Sequence, residues 1–399
     1  MMTLEEARER MLQQIAPLGV EQVALAQCAG RVLAEDFTAR IDLPPFDNSA
    51  MDGYALRAED VRSATPENPV AINQIGETPA GGTFSEMVEA GQCVRVFTGS
   101  PLPAGADAVV MQEDTRADGQ VIHVLDATKP WENIRLRGED IRSGGKILCA
   151  GNRLGAGHLG LLASQGAGSI TAFRSPLVGV IATGNELREA GAPLTGGEIY
   201  ESNRVMLSAL LRNDGLRATV FPIVADTMDA TCAALKLAFA QCDAVITAGG
   251  ASVGTHDLVK QAFESLGGHL HFWKVAIKPG KPFLFGQLAG KSLFGLPGNP
   301  VSALVTHLML VRPALMRMQG ATELLLPTHP AVLGEPLGNR GDRRHFMRVW
   351  VDHQGAVKPS GMQASHALGA LAQANGLVDV PPHTTWPAGT PVAVHRWQI

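Results

Sequence analysis

The run Leu177-Val-Gly-Val-Ile-Ala-Thr-Gly-Asn-Glu186 decides the fold. Leu177–Ala182 is apolar throughout and rich in β-branched residues, which reads as a strand buried on both faces. It hands over to a turn bearing glycine and an acid. The same handover recurs at Ala225-Asp226-Thr227 after the strand expected over 219–224. It returns at Thr247-Ala-Gly-Gly-Ala-Ser-Val-Gly254 after 243–247, and at Gly295-Leu-Pro-Gly-Asn-Pro300. Helices are expected over 199–213, 227–241, 257–266 and 299–319. Strands alternating with helices mean βαβ units and a mostly parallel sheet. In such a sheet ligands bind outside the carboxyl ends of the strands, where helix N-termini offer N–H groups to anions. Four such turns on one rim predict a phosphate- and metal-binding site.

Outward from this block the texture changes. His269–Ile277 reads as extended, and Phe283–Gly286 with Ser292–Gly295 as a hairpin. Gly286-Gln-Leu-Ala-Gly-Lys-Ser292 is one residue short of a Walker A loop and lies between the hairpin strands, so it is not read as one. Beyond Thr328 short strands and turns run to Val392–Trp397, the pattern of a small β-barrel. Towards the N-terminus, residues 43–142 form a β-rich stretch. In it Ala108–Thr115 and Gln120–Val124 flank Asp118-Gly119, a hairpin signal. Residues 3–16 read as a helix with capping-box spacing between Thr3 and Glu6. Residues 17–42 read as short strands, and 143–175 as a Gly-rich stretch returning to them.

With 399 residues, 45% of them hydrophobic, the chain has material for several cored domains. A net charge of −5 gives no basic footprint for nucleic acid, and aromatics at 5% suggest no base-stacking platform. Five cysteines, at 28, 93, 149, 232 and 242, form no C-x-x-C pair. The odd count argues against a disulfide framework, and a cytoplasmic location is expected. The N-terminal stretch has no apolar signal-peptide core. The apolar run Val301–Val311, followed by Arg312-Pro313, is too short to span a bilayer, so no membrane role is expected.

The candidate chemistry is anionic and cationic in turn. Asp52, Glu139, Asp140, Glu186, Asp226 and Asp257 sit beside glycine or at strand ends, and acids next to phosphate-binding turns suit Mg²⁺. Lys278-Pro-Gly-Lys281-Pro sets two lysines on a proline-stiffened turn, a clamp for an oxyanion. Pro297-Gly-Asn-Pro300 places free N–H groups at a helix start. His269 and His271 alternate on one strand face and read as exposed strand residues rather than metal ligands. Each feature alone is equally an ordinary turn, cap or surface charge.

Together the strings resemble the molybdopterin molybdenumtransferase family, which includes the C-terminal domain of gephyrin. They are Pro44-Pro-Phe-Asp-Asn-Ser-Ala-Met-Asp-Gly-Tyr-Ala55, Thr98-Gly-Ser-Pro-Leu-Pro-Ala-Gly-Ala-Asp-Ala-Val-Val110, Arg137-Gly-Glu-Asp-Ile141, Gly249-Gly-Ala-Ser-Val-Gly254, Lys278-Pro-Gly-Lys-Pro282 and Leu296-Pro-Gly-Asn-Pro-Val-Ser302, in the family's order along the whole chain. The resemblance implies a multidomain α/β and β protein, an elongated four-part protomer. Its parts would be a discontinuous N-terminal module (1–42 plus 143–175), a β-rich module (43–142), a three-layer α/β molybdopterin-binding domain (176–326) and a C-terminal β-barrel (327–399). It implies a homodimer with shared active sites, so that Asp52, Thr98 and Asp140 would join residues 183–302 across two copies. Other partners would be a molybdopterin adenylyltransferase and molybdoenzyme maturation proteins.

The implied reaction takes adenylylated molybdopterin and molybdate, releases AMP and leaves molybdenum on the dithiolene. Asp52, Asp140, Glu186, Asp226 and Asp257 would be catalytic, with Glu186, Asp226 and Asp257 on Mg²⁺. Lys278 and Lys281, with Ser252, would hold molybdate or the neighbouring pyrophosphate. Thr98, Thr183, Gly184, Gly249, Gly250, Gly254, Pro297, Gly298, Asn299 and Ser302 would line the substrate. Arg344, Arg348 and Ser365 would contact anions. The family often has Asp where this chain has Asn185, which favours Glu186 as the ligand of that turn. Two other readings remain: a molybdopterin adenylyltransferase, and a non-enzymatic scaffold.

Overall fold

A computed structural model describes residues 1–250 and 258–397. The chain forms two compact units. One comprises Met1–Glu35, Ala150–Gly160 and Gly168–Ile399; the other comprises Asp36–Cys149 and Leu161–Ala167.

The first unit is built on a six-stranded sheet: β1 (Leu177–Ala182), β2 (Arg217–Val220), β3 (Ala244–Ala248), β4 (His269–Trp273), β5 (Leu284–Leu288) and β6 (Lys291–Leu296). The order is β2-β1-β3-β6-β5-β4. β2, β1, β3 and β6 run parallel; β5 is antiparallel to β6, and β4, antiparallel to β5, returns to the common direction. Alternation along the strands sorts side chains to two cores. Val178, Val180, Ala244, Ile246, Phe294 and Leu296 face one side. Ile181, Val245, Leu284 and Leu293 face the other. Helix α1 (Asn203–Asn213) and the long helix α4 (Pro300–Met318) cover the first face. Helices α2 (Met228–Gln241) and α3 (Leu258–Ser265) cover the second. This is the expected three-layer α/β arrangement.

The same unit carries the N-terminal helix Leu4–Gln13, whose Thr3 and Glu6 form the expected capping box. Val20–Ala24 pairs antiparallel with Ser169–Phe173. At the C-terminal end, Thr328–Leu333, Ala356–Pro359, Arg344–Val351, Gly376–Val380 and Pro391–Arg396 pair in a closed ring, the expected barrel. The second unit holds a six-stranded sheet ordered Ala108–Met111, Gly53–Leu56, Gln92–Val96, Val70–Thr78, Val121–Val124, Thr115–Asp118.

Several local expectations need correction. The helix expected from 199 starts at Asn203, because Ile199–Tyr200 pairs with Leu187–Arg188 and Arg204 turns back to Glu201 at 2.9 Å. β2 ends at Val220, two residues before Pro222, which has no N–H for a ladder. Ala108–Thr115 is not one strand. A 3₁₀ turn at Gln112–Asp114 divides it, and the hairpin at Gly119 joins Thr115–Asp118 to Val121–Val124. The helix expected over 299–319 forms as α4, but its apolar stretch does not stop at Val311. The turn His307–Val311 is π-helical, which accommodates a proline inside a continuous helix. Among the described residues α4 is thus long and apolar enough to cross a membrane, and 94% of its apolar window is buried inside the protein.

Candidate active site

β1 lies between β2 and β3, so the strand order reverses beside it. At that switch point the turns after β1, β3 and β6 converge. Thr183, Gly184, Glu186, Asp226, Gly249, Gly250, Pro297, Gly298 and Asn299 line a cleft of about 640 Å³. Gly249 makes the convergence possible: its φ is +92°, and a Cβ there would lie 2.6 Å from Thr183 O. Asn203, at the start of α1, donates from Nδ2 to Gly298 O at 2.7 Å and fixes the turn after β6.

Two carboxylates face this cleft. Asp226 Oδ2 accepts the Asn185 N–H (3.3 Å), and the Asp226 N–H donates to Asn185 Oδ1 (3.0 Å). An aspartate at 185 would set a like charge against Asp226; asparagine avoids that. The Glu186 carboxylate folds back over Gly184, and it has no side-chain partner among the described residues. The pair is an oxygen-only donor set suited to a hard divalent cation. No group of three potential ligands gathers among the described residues. Asp257, Ser252 and Gly254 lie outside the described residues.

A second groove, of about 630 Å³, adjoins the cleft and shares Pro282, Pro297 and Asn299 with it. Its charges are cationic: Lys278, Lys281 and Arg343. Ile277–Lys278 pairs in parallel with Arg344–His345, which brings the lysine turn against the barrel. Gly280 holds that turn on α4, since a Cβ there would lie 2.6 Å from Thr306 Cγ2. Arg343 Nη1 donates to Ile277 O at 3.0 Å.

The arginines expected to contact anions are engaged elsewhere. Arg344 lies on the alternate face of its strand from Arg343 and His345. It donates to Asp379 from Nε at 2.7 Å and pairs with Glu5. The Asp379 hydrogen bond raises its pKa further. Arg348, 1% exposed, donates to Ala364 O at 3.1 Å and to Met362 O. Ser365 and Ser302 do line the groove. Ser365 Oγ accepts from Asn299 Nδ2 at 3.0 Å, and Ser365 O takes the Val301 N–H at 3.1 Å. One of the helix-start donors expected to be free is therefore used.

His345 was not anticipated. It is 3% exposed, its Nε2 has no partner, and it lines the groove. Burial, then the charges of Lys278, Arg348 and Arg343, push its pKa down to about 4, so the ring is neutral. Asn203, Arg343 and Gln363 were also missed. The alternation Arg343-x-His345 on a barrel strand was the available signal. The paired candidates His269 and His271 are engaged with each other and with Phe285, and His271 Nε2 lies 3.1 Å from Gln287 Oε1.

Asp52, Thr98 and Asp140 belong to the second unit. Asp52 Oδ1 accepts the Thr98 N–H at 2.7 Å and its hydroxyl at 2.9 Å, and the backbone bond above all holds the carboxyl below the usual range. The Asp140 carboxylate has no hydrogen-bond or ion-pair partner among the described residues, and its N–H donates to Leu43 O at 3.1 Å.

A protein named molybdopterin molybdenumtransferase from Haemophilus influenzae is 39% identical over 382 residues, 94% of this chain and 93% of its own. The chain belongs to the molybdopterin molybdenumtransferase family. A Mycobacterium tuberculosis molybdopterin molybdenumtransferase 2 is 40% identical over 365 residues, 90% of each chain. Residues 2–166 match the MoeA N-terminal region (domain I and II), 179–317 a probable molybdopterin binding domain, and 330–397 the MoeA C-terminal region (domain IV). The crystal structure of the molybdopterin biosynthesis moeA protein from Pyrococcus horikoshii superposes with a TM-score of 0.83 at 31% identity, covering 99% of each chain. In this molybdenumtransferase the acidic cleft lies wholly in the 179–317 match, and the cationic groove adds residues of the 330–397 match.

Proposed function

We propose that this chain inserts molybdenum: it takes adenylylated molybdopterin and molybdate, cleaves the phosphoanhydride, releases AMP and leaves molybdenum on the dithiolene. The observation that carries the reading is the single trough with two carboxylates at one end and three cations at the other. A phosphoanhydride with a divalent ion suits the first end, and a tetrahedral oxoanion the second. Gly249, Gly250 and the Pro297–Asn299 turn let the substrate approach the protein backbone closely. Lys278 and Lys281, with Arg343, neutralise the oxoanion. Glu186 and Asp226 would hold Mg²⁺, with Asp257 as the third acid that the family resemblance implies. When bound, the ion offsets charge on the phosphate oxygens. The protein's part is positioning and electrostatic stabilisation, as in phosphoryl chemistry generally. Asp52, already ionised under the Thr98 donors, with Asp140, would come from a second copy of the chain and orient water at the anhydride.

A single-turnover assay tests this. Purified protein is mixed with adenylylated molybdopterin, Mg²⁺ and molybdate, and AMP release and activation of an apo-molybdoenzyme are followed. Molybdate-dependent AMP release with active cofactor is expected; binding without cleavage overturns the reading. Mixing Glu186→Ala with Asp52→Ala protein tests the shared site. Regained activity is expected, since one hybrid site would be intact, and no gain after subunit exchange defeats it.

A further inference from the structure

The segment Ser360–His366 walls the groove on its barrel side, and its carbonyls are nearly all engaged from behind. Gln363 Nε2 takes Ser360 O at 3.3 Å and Gly361 O at 3.4 Å. The Arg348 guanidinium takes Met362 O and Ala364 O. Val301 N–H takes Ser365 O. Gln363 is itself locked to the barrel strand, accepting the Arg348 N–H at 2.9 Å and donating to Arg348 O at 2.9 Å. The N–H groups of residues 362–366 have no acceptor among the described residues. Gln363, Ala364 and Ser365 line the groove. Gln363, Ala364 and Ser365 are half-buried, whereas Met362 and His366 are exposed. N–H groups in a half-buried stretch are seldom left without an acceptor, so those along this wall point to something that accepts.

Two further observations agree. Arg348 is buried and donates only to carbonyls, with no carboxylate partner among the described residues, and a buried cation without a counter-charge is unfavourable unless negative charge comes near it. His345, beside the same wall, is 3% exposed with Nε2 unpartnered.

We infer that the side chains of Arg348 and Gln363 are positioning residues for the oxoanion. They hold Met362 O and Ala364 O away from the groove, so that the N–H groups of Gln363 and Ser365, on the opposite edges of those planar peptide groups, meet a tetrahedral dianion there. Neither side chain touches the anion. This rests on the reading of the cationic groove as the oxoanion end. Arg348, expected as an anion contact, acts instead through the backbone it braces.

The test is calorimetric binding of molybdate, and separately of AMP, to the full-length protein. Gln363→Met keeps length and neutrality but removes the side-chain amide that braces the loop, leaving the main-chain N–H in place. Arg348→Lys keeps the charge, but one ammonium does not span two carbonyls. Each is expected to weaken molybdate binding about ten-fold or more, while AMP affinity stays within about two-fold. Ser365→Ala keeps its N–H and is expected to cost less than about three-fold. Wild-type molybdate affinity in Arg348→Lys would mean that charge alone matters and would overturn the inference. So would a parallel loss of AMP binding, which marks general collapse. If the wild-type protein binds neither molybdate nor sulfate, the reading of the groove fails and the inference falls with it. If the wild type binds and both variants match it, the inference alone fails.

Discussion

The acidic cleft and the cationic groove share Pro282, Pro297 and Asn299, yet they are built in different ways. The cleft's carboxylates sit on turns that follow strands of one sheet, so each is placed by the residues immediately before it. The groove's charges meet because Ile277–Lys278, in the segment between β4 and β5, leaves the α/β sheet and pairs with Arg344–His345 at the edge of the barrel. The difference teaches how one trough sorts its ligands. On the proposed reaction, opposite charges at the two ends would favour a metal-bearing anhydride at one and a bare oxoanion at the other. In a partly desolvated groove a few ångströms suffice for that preference to matter.

If the ends divide the work, their variants should fail differently. Glu186→Ala is expected to lower turnover by about 10²–10³-fold, as for loss of one electrostatic contact to a transition state. Molybdate affinity by calorimetry should stay near wild type; an equal loss of affinity would merge the two ends. Arg343→Ala should do the reverse. Half-saturating molybdate is expected to rise about ten-fold or more, with AMP affinity retained, because a charge-assisted contact to the oxoanion is lost. Unchanged molybdate dependence would remove Arg343 from the groove's function.

The groove end should also set an acid sensitivity. The folded-state pKa of His345, about 4, lies below the ordinary 6.5, so the unfolded chain takes the proton first as pH falls. Its contribution is complete above pH 6.5 and is lost on the way down to about 4. Within that window the loss is about 1.4 kcal/mol per pH unit. His307, fully buried on α4 and pushed to about 3 by burial and then by Arg312, acts in the same direction. Melting temperatures at pH 7 and pH 5 should therefore converge in His345→Phe relative to wild type. An unchanged gap would show that the ring is already solvated. The smallest effect belongs to the border between the ends. Asn203→Ala removes one hydrogen bond to Gly298 O and should weaken AMP binding by about 1 kcal/mol, read by the same titration.

Much of the fold was legible because it is local. The buried run at 177–182 became β1 with its expected bounds, Thr227 caps α2, and Thr3 with Glu6 closes the first helix turn. Elsewhere tertiary contacts prevailed. Ile199–Tyr200 left the helix to pair with Leu187–Arg188. In the site, Glu186, Asp226, Lys278 and Lys281 were readable from turn chemistry. The arginine was not: three stand within 343–348, and only strand alternation and partner choice separate the one in the groove from the two engaged elsewhere.

By itself the sequence determined the βαβ order, the glycine turns at the strand ends, the family and the types of charge the site would hold. These follow from hydrophobic period and from φ values that only glycine adopts readily. The tertiary structure alone decided which charges meet. It set Arg344 on Asp379 and Glu5, buried Arg348 behind the 360–366 loop, and left His345 neutral under three cations. Those outcomes depend on pairing across tens of residues and on burial, and neither is written in the local order of side chains.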